Sequence, residues 1–303
     1  MRVNYVLPAA LLIAWMLDAV FAEPPDAWHP VAWLGRLLGP VGSRLCRLPP
    51  PAAFISGALA WVLIAAILGI AAHAVQASLL RWPPAAAALL LACLLKPCFA
   101  WRMLRDEVAD VELALARSLT DGRARVARLV SRDVMQLDCA GVRETAIETL
   151  AENLNDSLVA PLFWFAVAGL PGAVVYRFAN TADAMWGYRG RFEWAGKFAA
   201  RADDVLSWLP ARCTAALLWP WPRRWRELAL EAAGTPSPNG GWPMGAIALR
   251  LGVRLRKPGV YALNPTAPAP RAIDTAHALR ICAFAARLAL LATLGASMVA
   301  RPL

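Results

Sequence analysis

Apolar residues fill long stretches of this chain, and polar residues gather in the intervals between them. Nearly continuous apolar runs cover Val3 to Ala22, Ala52 to Leu80, Ala85 to Trp101, Leu158 to Tyr176, Val205 to Trp221 and Ile281 to Ala300. Each approaches the ~20 residues an α-helix needs to cross hydrocarbon. Arg81-Trp82-Pro83-Pro84 separates the second run from the third, which predicts a helical hairpin with a tight turn. The polar stretch from Arg102 to Asp156 keeps helical spacing through Leu104, Val108, Val111 and Leu115, and again through Val126, Leu129 and Val130. Asp121-Gly122 is where these two helices are expected to separate. The pattern predicts an all-α, polytopic integral membrane bundle of about five or six hydrophobic segments, with residues 1–303 forming a single domain.

One run is internally broken. Pro161, Gly169, Pro171 and Gly172 interrupt Leu158 to Tyr176. If that run crossed fully, the loop beyond it would lie across the membrane from the polar stretch before it. That loop carries Arg177, Arg189, Arg191, Lys197 and Arg201, and basic loops stay cytoplasmic. A broken or re-entrant segment is therefore expected, of the kind tolerated where irregular backbone does not face lipid. Its flanking polar loops should converge on one site at the cytoplasmic side of the cell inner membrane.

Composition agrees: 59% of the residues are hydrophobic, far above a soluble chain's share. The first run starts behind Arg2 like a signal peptide but ends in Asp18 and Glu23 without a clean cleavage site, so it is read as retained. The net charge of +10 is spread as arginines among apolar runs, which speaks for orientation in the membrane and against nucleic acid. Six cysteines without a C-x-x-C pair and only three histidines exclude a zinc-type centre; His73, inside an apolar run, reads as a structural hydrogen-bonding group.

The candidate chemistry centres on Arg143 to Ser157. At about 100° per residue, Glu148, Glu152 and Asn155 share a helical face, with Glu144 and Asp156 at its margins. Like charges one turn apart repel, and Arg143 is the only nearby cation in this stretch. Mg²⁺ would offset the repulsion through oxygen ligands while sharing positions with phosphates; a solvated face is the plain alternative. Three more polar clusters point the same way. His29, held between Trp28 and Pro30, is a candidate acid, base or phosphate donor or else a turn residue. Asn180 and Asp183 share a face and lead to Arg201 and Asp203-Asp204, which either hold metal or pair with Arg201 and Arg212. Ser237-Pro238-Asn239-Gly240-Gly241 precedes a helix start and offers N–H groups to a phosphate, or is only a turn. The basic stripe Arg123, Arg125, Arg128 and Arg132 reads as a solvated face, with Arg132 as a possible phosphate contact.

Taken in order, these motifs resemble the CobD/CbiB family, the membrane-bound adenosylcobinamide-phosphate synthases of cobalamin biosynthesis. The resemblance rests on Leu17-Asp18, His29-Pro30-Val31, Gly35-Arg36, Arg132-Asp133, Glu148 to Asn153 with Asp156, and Ala160 to Phe163. It continues through Asn180-Thr181 with Asp183, Ala200-Arg201 with Asp203-Asp204, Leu209 to Arg212 and Ser237-Pro238-Asn239, nearly the whole chain.

The resemblance implies ATP- and Mg²⁺-dependent amide formation between adenosylcobyric acid, a corrinoid, and aminopropanol or its O-phosphate. It implies Glu148, Glu152, Asp156, Asp183, Asp203 and Asp204 as metal ligands, with Glu148, Glu152 and Asp204 as the catalytic carboxylates. Asn153, Asn180, Ser237 and Asn239 would orient substrate, Arg201 and Arg212 hold phosphate, and His29 meet the amine or a phosphate. Membrane lipid is the other implied partner. Three positions depart from the family pattern: Ala22-Glu23-Pro24 for Gly-Asp-Pro, Ser157 for glycine, and Met244 for an acidic residue. They leave room for a non-catalytic paralogue or one with a different substrate. An intramembrane prenyltransferase with Asp-rich, Mg²⁺-holding helices is the alternative enzyme class.

Overall fold

The computed structural model describes residues 5–21, 23–188 and 190–299, so expectations that fall on Arg2, Val3, Ala22, Arg189 and Ala300 lie outside the described residues. Twelve α-helices and one two-stranded ribbon form among those described. In chain order the first six helices are α1 Val6–Val20, α2 Pro30–Leu45, α3 Pro50–Leu79, α4 Pro84–Leu95, α5 Trp101–Leu115 and α6 Leu119–Val126. Next come α7 Cys139–Leu154, α8 Ala160–Trp186, α9 Lys197–Leu218, α10 Trp225–Ala233 and α11 Gly241–Leu251. The ribbon strands β1 Leu255–Lys257 and β2 Tyr261–Leu263 precede α12 Ala272–Val299.

Four helical segments are long and apolar enough to cross a membrane: Pro50–Leu79, Pro84–Leu115, Cys139–Trp186 and Ala272–Met298, with Val6–Val20 a shorter apolar helix. The protein is an all-α membrane bundle, as the hydrophobic pattern predicts. The expected run Val205 to Trp221 does not join them. It falls in α9, where Lys197, Arg201, Asp203, Asp204 and Arg212 dilute the apolar content.

The chain divides into two compact units. One comprises Met1–Ala100, Ala160–Ser207 and Leu290–Leu303; the other comprises Trp101–Val159 and Trp208–Ala289.

In the first unit, prolines at the first helical positions start α3 and α4, where a missing N–H costs nothing. The Trp82 N–H donates to Leu79 O at 2.9 Å and closes the hairpin as predicted. Small residues let α1 lie along α4, with Ala10, Leu11 and Ala14 buried on one and Ala87, Ala88 and Leu91 on the other. Helices α2, α8 and α9 share a core of Leu38, Phe178, Ala182, Trp186 and Ala199 backed by Trp61 of α3. The Trp186 indole N–H donates to Leu38 O at 3.1 Å.

The expected break is present in α8. Gly169 leaves helical geometry with φ +67°, a region a side chain avoids. Pro171 has no N–H to lose, and the buried Leu170 N–H, freed from the helix, donates to the buried Gln76 Oε1 of α3 at 2.8 Å. A backbone group freed inside an apolar helix pair is thereby satisfied by a side chain.

In the second unit, α7 is the central helix. Asp138 caps it by accepting the Gly141 N–H at 2.7 Å, and α5, α6, α11 and β1 pack around it. The separation of α5 from α6 falls three residues earlier than expected. Ser118 caps α6 by accepting the Asp121 N–H at 3.0 Å, which puts Asp121-Gly122 inside the helix. A Ser-x-x-Asp start outweighs the Asp-Gly turn signal because it satisfies an orphan donor. The ribbon was not foreseen. Lys257-Pro258-Gly259-Val260 turns it, with Gly259 at φ +72° and the Val260 N–H donating to Lys257 O at 2.9 Å. Lys257 thus pairs with Tyr261 in antiparallel register.

Candidate active site

Three glutamates of α7 lie one turn apart in the second unit, and each has a different environment. Glu144 is fully buried and takes two arginines: Arg254 Nε and Nη2 donate to Oε1 at 3.2 Å, and Arg256 Nε donates to Oε2 at 3.1 Å. Glu148 is 4% exposed and accepts from Arg132 Nη2 at 3.0 Å, while the same nitrogen reaches Thr145 Oγ1 at 2.7 Å. Its Oε1 is buried with no hydrogen bond. Glu152 has neither a hydrogen bond nor an ion pair among the described residues, although Lys257 and Arg132 add a favourable field.

Burial on this scale rules out the solvated-face reading of α7. Nor does Arg143 answer the repulsion between the glutamates, because it turns to Glu112 of α5 at 2.7 Å. The cations come from sequence-distant loops instead. The basic stripe is likewise paired: Arg125 meets Glu107 at 3.2 Å and also Asp110, and Arg123 donates to Leu137 O.

Beyond Glu152 the chain enters a π-turn, Asn155–Val159, a form that recurs at functional sites. Asn155 is buried and committed there: its Nδ2 donates to Asp156 Oδ1 at 2.7 Å and its Oδ1 accepts from Thr214 Oγ1 at 3.0 Å. Asn153 donates to Thr149 O at 3.1 Å.

The Ser-Pro-Asn-Gly-Gly loop closes on the same acids. Ser237 Oγ accepts the N–H groups of Asn239 and Gly240 at 3.2 and 3.0 Å, so two donors expected to face a phosphate serve the loop itself. Arg212 braces it, donating to Asn239 Oδ1 at 2.8 Å and Pro238 O at 3.2 Å, with its guanidinium stacked between Trp208 and Trp242. A Cβ placed on Gly240 would stand 3.1 Å from Glu152 Oε1, so this carboxylate faces bare backbone. Tyr261 of the ribbon stands beside Glu148, and its hydroxyl donates to Met244 Sδ at 3.6 Å. Burial, then the charges of Glu148 and Glu152, push the phenol's pKa upward, so it remains a donor. Glu148, Glu152, Asp156, Asn153, Arg212, Ser237 and Asn239 therefore share this unit.

The other candidates belong to the first unit. Asn180 and Asp183 lie on the second half of α8, and Arg201, Asp203 and Asp204 on the first half of α9. Arg201 Nη1 reaches Asp204 Oδ2 at 3.4 Å, the pairing weighed against metal binding. Burial raises the Asp204 pKa, with Arg201 opposing.

His29 caps α2: its Nδ1 accepts the Val31 N–H at 3.1 Å. Nε2 must then carry the ring proton, and it lies 2.9 Å from Glu23 Oε2. Glu23 also accepts from Lys96, which stands 3.1 Å from the buried Asp18. Burial alone would raise the Glu23 pKa, but hydrogen bonds from His29 and Lys96 hold it lowered. This Asp18–Lys96–Glu23–His29 chain was not foreseen as a unit; the one available signal was a lysine inside an apolar run, Lys96 within Ala85 to Trp101.

The Mg²⁺ expectation can be tested against these donors. Among the described residues no group of three or more His, Cys, Asp or Glu side chains is arranged to hold a metal, so no all-protein cage is present there. Mg²⁺ commonly takes only one or two carboxylates and completes its shell with water and substrate phosphates. Glu152, uncommitted and facing backbone, with Asp156 one turn on, fits that requirement; Glu144 and Glu148 are taken by arginines.

The family model described as CobD/Cbib protein matches residues 11–290. The chain belongs to the CobD/CbiB family. Among its curated CobD relatives, the Thermococcus kodakarensis "Probable cobalamin biosynthesis protein CobD" is 40% identical over 285 residues, covering 91% of this chain and 90% of that one. The cobalamin biosynthesis protein CobD of Chromobacterium violaceum is 40% identical over 291 residues, 89% and 90% of the two chains. That of Rhodobacter capsulatus is 38% identical over 299 residues, 90% and 92%. No solved structure matches. Within this CobD/CbiB chain, the departure at Met244 has a structural counterpart: the side chain is buried and its sulfur meets the Tyr261 hydroxyl.

Proposed function

We propose that this protein is the ATP- and Mg²⁺-dependent ligase that joins a propionate of adenosylcobyric acid to aminopropanol or its O-phosphate. Membership of a cobalamin-biosynthesis family supports the pathway. The observation that carries the chemistry is Glu152, an uncommitted carboxylate facing the Gly240 backbone beside an arginine-braced loop.

A carboxylate is a poor acyl donor, so its oxygen first attacks the γ-phosphorus of ATP and ADP leaves. The amine nitrogen then attacks the acyl carbon, phosphate departs with the C–O bonding pair, and a base accepts the amine proton. Glu152 and Asp156 would hold Mg²⁺, which supplies charge screening along the triphosphate. Arg132 and Tyr261 are donors beside Glu148, and Arg212 braces the Ser237 to Asn239 loop next to Glu152. Asp204, whose pKa is raised by burial, is the candidate base. This reading has Asn153 orient substrate in the second unit, while in the first unit Asp183 and Asp203 are candidate metal ligands, Asn180 a substrate contact, Arg201 a phosphate contact and His29 a contact for the amine or a phosphate. It places the reaction at the cytoplasmic face of the inner membrane.

The test is a mass-spectrometric assay of detergent-purified protein with adenosylcobyric acid, aminopropanol or its O-phosphate, ATP and Mg²⁺, leaving out one component at a time. Amide that forms only in the complete mixture supports the ligase. No amide with either amine, from folded protein, overturns it.

A further inference from the structure

A cavity of about 340 Å³ lies wholly within the first unit, between α2, α3, α4 and α8. Its walls are apolar, with Leu68 and Val75 from α3, Leu94 from α4 and Leu170 and Val174 from α8. One charged group enters it, Arg177. Arg177 is half-buried, its Nε is buried without a hydrogen bond, and no ion pair to a carboxylate is formed by it among the described residues. Arg132, Arg143 and Arg125 of the same chain each meet a carboxylate within 3.2 Å. A guanidinium without a paired carboxylate in an apolar recess is costly, and an anionic group at its face would repay that cost.

The surroundings identify the kind of anion. The outer faces of α3 and α4 expose Leu63, Ile67, Ile70, Leu89 and Leu90, the surface a bilayer would cover. Pro30 and Val31 line the cavity at the start of α2, beside the exposed Trp28 and Trp33, the residue type that sits at headgroup level. An ion free in water has no use for the apolar walls, and the cavity is at the small end of the ~300–1,000 Å³ range of ligand sites, too confined for a corrin ring.

We propose that this cavity binds one acidic phospholipid, with its phosphate on Arg177 and an acyl chain along the apolar wall. The site is built from the first unit alone and does not depend on the ligase reading.

The full-length protein, exchanged into a lipid-free detergent, is titrated with phosphatidylglycerol, with phosphatidylcholine of the same chains, or with inorganic phosphate, and bound lipid is counted by native mass spectrometry. One phosphatidylglycerol is expected to bind at least about tenfold more tightly than phosphatidylcholine, the effect of one charge-assisted contact. Arg177→Gln should remove that preference and Arg177→Lys should keep most of it. Val174→Phe, which fills the cavity and leaves the charge, should abolish binding of either lipid; unchanged thermal unfolding verifies that each variant is folded. Equal binding of the two lipids, retention of the preference in R177Q, undiminished binding in V174F, or displacement of the lipid by millimolar phosphate would each overturn the proposal.

Discussion

His29 and Glu23 are joined by a proton whose owner can be named. Because His29 Nδ1 accepts the Val31 N–H, Nε2 is the protonated nitrogen and donates to Glu23 at 2.9 Å. The imidazole thus does two jobs, capping α2 and anchoring the segment before it. His29→Asn retains an acceptor for the cap, whereas His29→Ala removes it. Thermal unfolding in detergent should show the alanine variant less stable by about 1 kcal/mol and the asparagine variant closer to the parent.

The same network sets an acid limit. Glu23 titrates lower in the folded chain than in the unfolded one, so between the two values the unfolded chain binds more protons and stability rises with pH. The contribution is complete above the unfolded value and disappears as pH falls through the folded one. Unfolding midpoints followed from neutral to acid pH should fall less steeply for Glu23→Gln than for the parent. Parallel curves for the two proteins would refute the assignment.

Glu144 and Glu152 should separate stability from activity. Removing Glu144 leaves two arginines facing a buried space, and Glu144→Ala is expected to cost about 3–5 kcal/mol, as for any broken buried ion pair. Glu152→Gln breaks no described hydrogen bond or ion pair. Its unfolding midpoint should stay near or above the parent's, since it relieves repulsion from Glu148 and Asp156, while amide formation drops by about 10²-fold or more.

Four of the six expected spans, the hairpin and the break in α8 were legible because each follows from local rules: apolar length, proline at a helix start, glycine and proline inside a run. The acid face of α7 was legible for the same reason, since three glutamates at one-turn spacing leave little choice of side. The partners of those acids were not. Arg254 and Arg256 reach Glu144 across 110 and 112 residues, and Lys96 reaches Glu23 across 73. No periodicity encodes a pairing over such a separation. The ribbon that delivers Tyr261 was missed because strands of three residues carry almost no alternation signal, and only Pro258-Gly259 marked the turn.

Gln76 offers a test of the break. Gln76→Leu keeps the approximate volume and removes the acceptor for the Leu170 N–H, leaving that group buried without a partner. A loss of about 1–3 kcal/mol is expected in detergent unfolding. Gln76→Glu, which keeps an acceptor, should recover part of it. A Q76L protein as stable as the parent would mean that Leu170 finds another acceptor.

The Gln76 amide also imposes an order of events on biogenesis. The chain emerges from its N-terminus, so the helix carrying Gln76 is made 94 residues before the Leu170 N–H needs it. Until that helix is in place, the later segment presents an unsatisfied peptide group to hydrocarbon, which lipid does not accept. The earlier helix thus holds ready, before the later one is made, the one side chain that satisfies its break.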